Sequence, residues 1–321
     1  MSILLMGFEP AKLHETQRER IQQAAPDMQV LVIYDQAEIE AVLDEIEIAA
    51  CNFPHDLIAK APRLRWFQQW SAGADWLLRY PKMVELDFVL TSTSGMHATQ
   101  VTEHIMAFLL AFARQLHVAI HVQLSHTWIP QSQQVNLFEL AGKTMLLVGV
   151  GEIGRQTAQL AAAFGMRVLG IQRTPGASMA GVEAMFAPHQ LRQVLPQADV
   201  VVLLAPLTRE TRGMIGEEEL RAMKPSTYLI NVGRGGLVQE GALIRALREG
   251  WIAGAGLDVF ESEPLPVRSP LWDMENVIIT SHYAGATPHY DERALEIFLD
   301  NLRRYRAGLP LCNVVDKKMG Y

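Results

Sequence analysis

Val148-Gly149-Val150-Gly151-Glu152-Ile153-Gly154 is the stretch that decides the fold. A strand-like apolar run, Thr144–Val148, leads into it, and a helical pattern follows. Each glycine has its own task there. Gly149 allows the tight turn, Gly151 lets the backbone approach a pyrophosphate, and Gly154 lets the helix lie close to the sheet. The free amides of Glu152 and Ile153 then face phosphates at the helix N-terminus.

Downstream the alternation continues. Strands are expected at Arg167–Ile171, Val200–Leu204, Tyr228–Asn231, Gly254–Asp258 and Val277–Thr280, six in all with the first. Six strands separated by helices make a full dinucleotide-binding sheet. Upstream, the spacing predicts one long helix over His97–Ser125. Before it lies a second strand–helix series, with strands at Ile3–Met6, Gln29–Ile33, Ile46–Ala50, Leu64–Gln68 and Phe88–Thr91. A last helix is expected over Asp291–Arg306, where Ala294, Ile297, Phe298 and Leu302 recur at helical spacing. The fold class is therefore α/β, with two doubly wound parallel-sheet domains. A dinucleotide-binding (Rossmann) domain, 97–286, is inserted into a flavodoxin-like substrate-binding domain formed by 1–96 and 287–321.

Bulk properties narrow the function. A chain of 321 residues suits two domains. A net charge of −7 without a basic block argues against a nucleic-acid partner. The apolar stretch 105–122 is interrupted by Arg114, Gln115, His117 and His121, so a membrane span is not expected. Cys51 and Cys312 fit no metal spacing, and two isolated thiols suit a reducing compartment, the cytoplasm. His117 and His121 are four apart on the long helix without an accompanying glutamate. They are read as helix surface or subunit contact, and no metal is expected.

Three segments carry chemistry: Asn231-Val-Gly-Arg-Gly-Gly236, Leu257-Asp-Val-Phe-Glu-Ser-Glu-Pro264 and Ser281-His-Tyr-Ala-Gly285. Each places a charged or titratable residue after an apolar run: Arg234, Glu263 and His282. A planar guanidinium holds carboxylate and carbonyl oxygens. A histidine donates a proton near neutral pH, and a carboxylate on its other nitrogen orients the ring and favours the protonated form. With a nicotinamide site, that set suffices to reduce a 2-oxo acid. The strand after the glycine turn ends in Gln172-Arg173-Thr174, where NAD sites usually offer a carboxylate. A neutral glutamine and a cation favour the 2′-phosphate of NADP over NAD. The other reading leaves Arg173 in solvent and both cofactors usable.

These segments, together with Ser71-Ala-Gly-Ala-Asp75, Val101-Thr-Glu-His104 and Ala205-Pro-Leu-Thr-Arg-Glu-Thr211, resemble the D-isomer-specific 2-hydroxyacid dehydrogenase family over nearly the whole chain. The resemblance implies catalytic roles for Arg234, Glu263 and His282, and donation to the substrate carboxylate by the backbone of Ala72 and Gly73. Cofactor contacts are expected from Gly149, Gly151, Glu152, Ile153, Gly154, Gln172, Arg173, Thr174, Ala205, Pro206, Thr211, Val232, Gly233, His282, Ala284 and Gly285. Asp258 would hold the nicotinamide amide. Dimerisation through the nucleotide domains is implied as well. The chain departs from the family at Gln172, at His97 within Gly95-Met96-His97, and at Tyr283. Trp70, Met96 and Tyr283 lie beside cleft-facing segments, and a small, partly apolar substrate pocket is expected from them. The expected reaction is hydride transfer between NAD(P)H and a small 2-oxo acid, such as glyoxylate or hydroxypyruvate, to give the D-2-hydroxy acid. Formate- or phosphite-type oxidation, or a nucleotide-sensing corepressor-like role, are the alternatives.

Overall fold

Short apolar strands build two parallel sheets in the computed structural model, which describes residues 2–130, 132, 136–174 and 179–321. The chain packs as two compact units, Met1–Met96 with Thr287–Tyr321, and His97–Ala286.

The first unit holds β1 (Ile3–Gly7), β2 (Gln29–Val32), β3 (Ile46–Cys51), β4 (Trp66–Gln68) and β5 (Val89–Thr91), in the order β2-β1-β3-β4-β5. Successive side chains on a strand point to opposite faces. Ile3 and Leu5 therefore join a core with Ile39 and Leu57, while Leu4 and Met6 join another with Ile21 and Phe298. Burial on both faces is why the strands read as continuous apolar runs. Helices α1 (Glu15–Ala24) and α2 (Gln36–Ala41) belong to this unit, and the Asp35 side chain caps α2 by accepting from the amides of Ala37 and Glu38. The C-terminal helix, Tyr290–Arg306, buries Ala294, Leu295, Phe298, Leu299 and Leu302 in the same unit. The order makes β1 and β3 the pair from which connections leave in opposite directions, the position where open α/β sheets bind ligands. Gly7 pairs with Cys51 there, and a Cβ on Gly7 would stand 2.7 Å from the backbone of Asn52.

The second unit holds seven parallel strands: β6 (Thr144–Val148), β7 (Arg167–Ile171), β8 (Ala184–Phe186), β9 (Val200–Leu203), β10 (Tyr228–Asn231), β11 (Gly254–Leu257) and β12 (Val277–Ile279). Their order is β12-β11-β10-β9-β6-β7-β8. Leu146, Val148, Val201 and Leu203 face one core, and Met145, Leu147, Val200 and Val202 face the other. The seventh strand, β8, was not expected. It has three half-buried residues at the sheet edge, too few to give a periodic signal.

The long helix is a second correction. It breaks into α3 (Ala98–Ala113) and α4 (Leu116–Leu124), bent by 69° at Gln115, whose φ is +54°. The Gln115 side chain donates to the Phe112 carbonyl at 2.9 Å, satisfying a helix-end acceptor. α3 buries Ile105, Phe108, Leu109 and Phe112, whereas α4 buries nothing. Among the described residues no single helix is long and apolar enough to cross a membrane.

Candidate active site

Arg234, Glu263 and His282 follow β10, β11 and β12, three adjacent strands of the second unit. Parallel neighbours lie about 4.8 Å apart, so the loops leaving them are neighbours as well. His282 Nδ1 lies 2.6 Å from Glu263 Oε2, while Glu263 Oε1 accepts the Phe260 amide at 3.0 Å. One carboxylate thus spans from backbone to imidazole. Because a carboxylate only accepts, Nδ1 carries the hydrogen of that bond. His282 is 47% exposed at its side chain, and Nε2 remains for other chemistry.

The Arg234 loop is fixed by Asn231, a buried residue that sequence reasoning passed over. Its amide nitrogen donates to the Arg234 carbonyl at 3.0 Å, and its oxygen accepts the Gly233 amide at 3.2 Å. Gly235 sets the loop against its neighbour: a Cβ there would stand 1.8 Å from the Phe260 carbonyl carbon. Only glycine permits the 231–236 loop to rest on the loop that carries Glu263.

Asp258 organises the third loop. It is buried and accepts from the Tyr283 amide, the Ala284 amide and the Thr280 hydroxyl, at 3.0, 3.0 and 2.5 Å. Its carbonyl accepts the His282 amide at 2.8 Å. These bonds hold His282 in a left-handed conformation, φ +53°, which costs a non-glycine residue about 1–3 kcal/mol. Thr280 also lies 3.0 Å from His104 Nε2. Since the threonine hydrogen points to Asp258, His104 must donate to the threonine oxygen. Burial holds His104 below the ordinary histidine range despite the opposing pull of Asp258. The ring of Tyr283 meets His104 edge-on at 5.5 Å.

The glycine turn has the form needed for a dinucleotide. Gly149 has φ +103°, and a Cβ on it would stand 2.7 Å from the Ala205 amide. Gly154 approaches the Gly149 carbonyl, where a Cβ would stand at 2.8 Å. At Gly151, which precedes helix α5 (Glu152–Ala163), a Cβ would meet nothing within 4 Å. The close glycines are structural, and the open one leaves room at the helix N-terminus for phosphate. The Ala205–Thr211 loop is tied by Thr211, which donates to the Pro206 carbonyl at 2.6 Å. Gln172 donates its amide to Phe186 at the end of β8, so β8 fixes where the exposed Arg173 and Thr174 leave the sheet. Gln100 reaches the Gly285 carbonyl at 3.2 Å. Val232 and Gly233 lie half-buried after β10.

In the first unit, the buried Gln69 donates to the carbonyls of Ser71 and Gly73 at 3.0 and 2.8 Å, and accepts Trp76 Nε1 at 2.8 Å. This strut also escaped sequence reasoning. It pulls the carbonyls of the 71–73 turn inward. Among the described residues, no acceptor is found for the amides of Ala72 and Gly73. Beside the turn lies a cavity of about 670 Å³ at the carboxyl ends of β1, β3 and β4, lined by Ser71 and Trp70 among others. A small substrate pocket was expected from three bulky side chains. Of the three bulky residues named for it, Trp70 lines the cavity, Met96 is buried in the first unit's core, and Tyr283 is 53% exposed in the second unit.

The NAD-binding domain of the D-isomer specific 2-hydroxyacid dehydrogenases matches residues 106–284. A glyoxylate reductase from Aeropyrum pernix is 36% identical over 271 residues, covering 82% of this chain and 80% of the relative. Among solved structures, a D-isomer specific 2-hydroxyacid dehydrogenase from Xanthobacter autotrophicus, in complex with NADPH and MES, is 32% identical, with a TM-score of 0.84 and full coverage of both chains. An NADPH-dependent glyoxylate/hydroxypyruvate reductase from Sinorhizobium meliloti, in complex with NADP and sulfate, is 31% identical at the same TM-score and coverage.

Proposed function

We propose, from the premise that this chain belongs to the D-isomer specific 2-hydroxyacid dehydrogenase family and reduces 2-oxo acids with a nicotinamide dinucleotide, that it yields the D-2-hydroxy acid and prefers NADPH. The observation that carries the reading is the Glu263–His282 contact of 2.6 Å, formed at adjacent strand ends beside the Arg234 loop. The bound cofactor supplies the hydride. Arg234 holds and polarises the substrate with its planar fork. His282 gives the proton on Nε2 to the carbonyl oxygen, and Glu263 stabilises the imidazolium and fixes the ring. In the first unit, the substrate-binding domain in this reading, the amides of Ala72 and Gly73 donate to the substrate carboxylate. Asp258 would hold the nicotinamide amide. Gly151, Glu152 and Ile153 would hold the pyrophosphate, and the 205–211, 232–233 and 284–285 loops would border the cofactor.

Arg173 underlies the NADPH preference, and the two solved relatives described with NADPH or NADP support it. Glyoxylate and hydroxypyruvate are in range, since both carry the carboxylate and carbonyl that the site reads. The exposed row Leu116, Ile120 and Leu124 on α4, continued by Trp128 at 89% exposure, supports a homodimer. Two free cysteines fit a cytoplasmic setting. The test is steady-state reduction of glyoxylate, hydroxypyruvate, pyruvate and a ketone lacking the carboxylate, with each cofactor at one fixed salt concentration. Turnover of the acids and none of the ketone is expected, because the ketone leaves the carboxylate donors unpaired. Efficient ketone reduction would refute the assignment.

A further inference from the structure

We infer that the cavity at the β1–β3 end of the first unit receives the side chain of the 2-oxo acid, and that this side chain is an uncharged aromatic ring. The inference rests on the 2-oxo acid reading above and deepens it.

Position comes first. Ser71 lines the cavity, and the amides of Ala72 and Gly73 follow it directly in the chain. An acid whose carboxylate sits on those amides then has the cavity beside it. Size comes next. Glyoxylate has no side chain and would leave about 670 Å³ unused. A benzene-sized guest needs a cavity of about 150 Å³, so a benzyl or hydroxybenzyl group enters with room for water.

The walls give the chemistry. Seven of the sixteen lining residues are Phe, Tyr or Trp, in a chain that is 7% aromatic. Phe8 and Trp70 meet edge to face at 5.4 Å, a geometry that a further ring can extend. The ring of His55 stacks on Trp76, with centroids 3.9 Å apart and planes 9° apart. Burial, then the charge of Arg79, keeps His55 below the usual histidine range, so it adds a flat neutral surface. The charged lining residues are Lys12, Glu9 and Asp291, and Lys12 already pairs with Glu9 at 3.1 Å. The balance is negative, which disfavours a second carboxylate or a phosphate on the substrate.

The experiment compares kcat/KM for phenylpyruvate, glyoxylate and 2-oxoglutarate with NADPH. Phenylpyruvate is expected to exceed glyoxylate by about tenfold, with 2-oxoglutarate below both. Asn52→Trp, at an exposed lining position, narrows the cavity. It is expected to lower the phenylpyruvate-to-glyoxylate ratio at least fivefold. A wild-type ratio of one or less, 2-oxoglutarate outpacing phenylpyruvate, or an Asn52→Trp ratio equal to wild type overturns the inference while the 2-oxo acid reading stands. Failure to reduce any 2-oxo acid overturns that reading instead.

Discussion

His282 occupies a conformation its residue type disfavours, and the surrounding bonds show what that placement is for. Its amide is held by the Asp258 carbonyl, its ring by Glu263, and the next two amides by the Asp258 carboxylate. His282→Ala leaves this frame intact and removes only the proton donor. Turnover should then fall by about 10²–10⁴-fold, measured by steady-state kinetics at saturating NADPH. Near-normal turnover would remove His282 from the mechanism. Arg234→Ala should raise KM steeply and lower kcat as well, since the fork contacts ground and transition states alike. Loss of kcat alone would mean that Arg234 does not bind substrate. His104 acts one step away, through Thr280 and Asp258. Thr280→Val breaks that relay and should weaken NADPH binding and turnover together.

At the scale of elements, the site consists of three loops leaving β10, β11 and β12, and Gly235 is where two of them touch. Gly235→Ala must push Phe260 aside, and with it the Glu263 carboxylate that the Phe260 amide orients. Overpacking of this kind costs about 1–3 kcal/mol. The melting temperature should drop by roughly 2–4 °C per kcal/mol, and kcat by more than the stability loss explains. Unchanged kcat in a folded variant would show that the loops move independently. Arg234, Glu263 and His282 were legible in the sequence because each follows a buried apolar run, and strand ends are where such sheets bind ligands. Asn231, Gln69 and Thr280 were not, because an amide or hydroxyl gains its meaning from partners distant in the chain. The edge strand β8 was missed for lack of length, yet it sets the exit of Gln172 and Arg173. A charge-assisted contact from Arg173 to a 2′-phosphate contributes about 1.5–3 kcal/mol, and 1.4 kcal/mol is about tenfold. NADPH should therefore exceed NADH by about tenfold or more in kcat/KM. Arg173→Ala should erase most of that gap, and Gln172→Asp should turn it toward NADH. Equal efficiencies in the wild type would dismiss the phosphate contact.

For the whole molecule, the break after α3 is informative: α3 feeds the core, and α4 turns Leu116, Ile120 and Leu124 outward. Leu124→Glu with Trp128→Glu should convert a dimer to a monomer in sedimentation while leaving the circular dichroism spectrum unchanged; a wild-type monomer would refute the interface. Stability against acid is set by both units together. His55 in the first and His104 in the second are each held below the ordinary histidine range, chiefly by burial. In the unfolded chain both titrate near about pH 6.5. The unfolded state therefore binds protons that the folded state resists, and stability falls as the pH drops below that value. Above it, both groups are neutral in either state and contribute no slope. The melting temperature should be level from about pH 7 to 8 and decline from about pH 6.5 downward. His55→Phe keeps a flat ring against Trp76 and abolishes one titration, so its decline should be shallower than that of the wild type. Two curves that run parallel below pH 6.5 would show that His55 binds its proton equally well folded and unfolded, and would assign the acid sensitivity elsewhere.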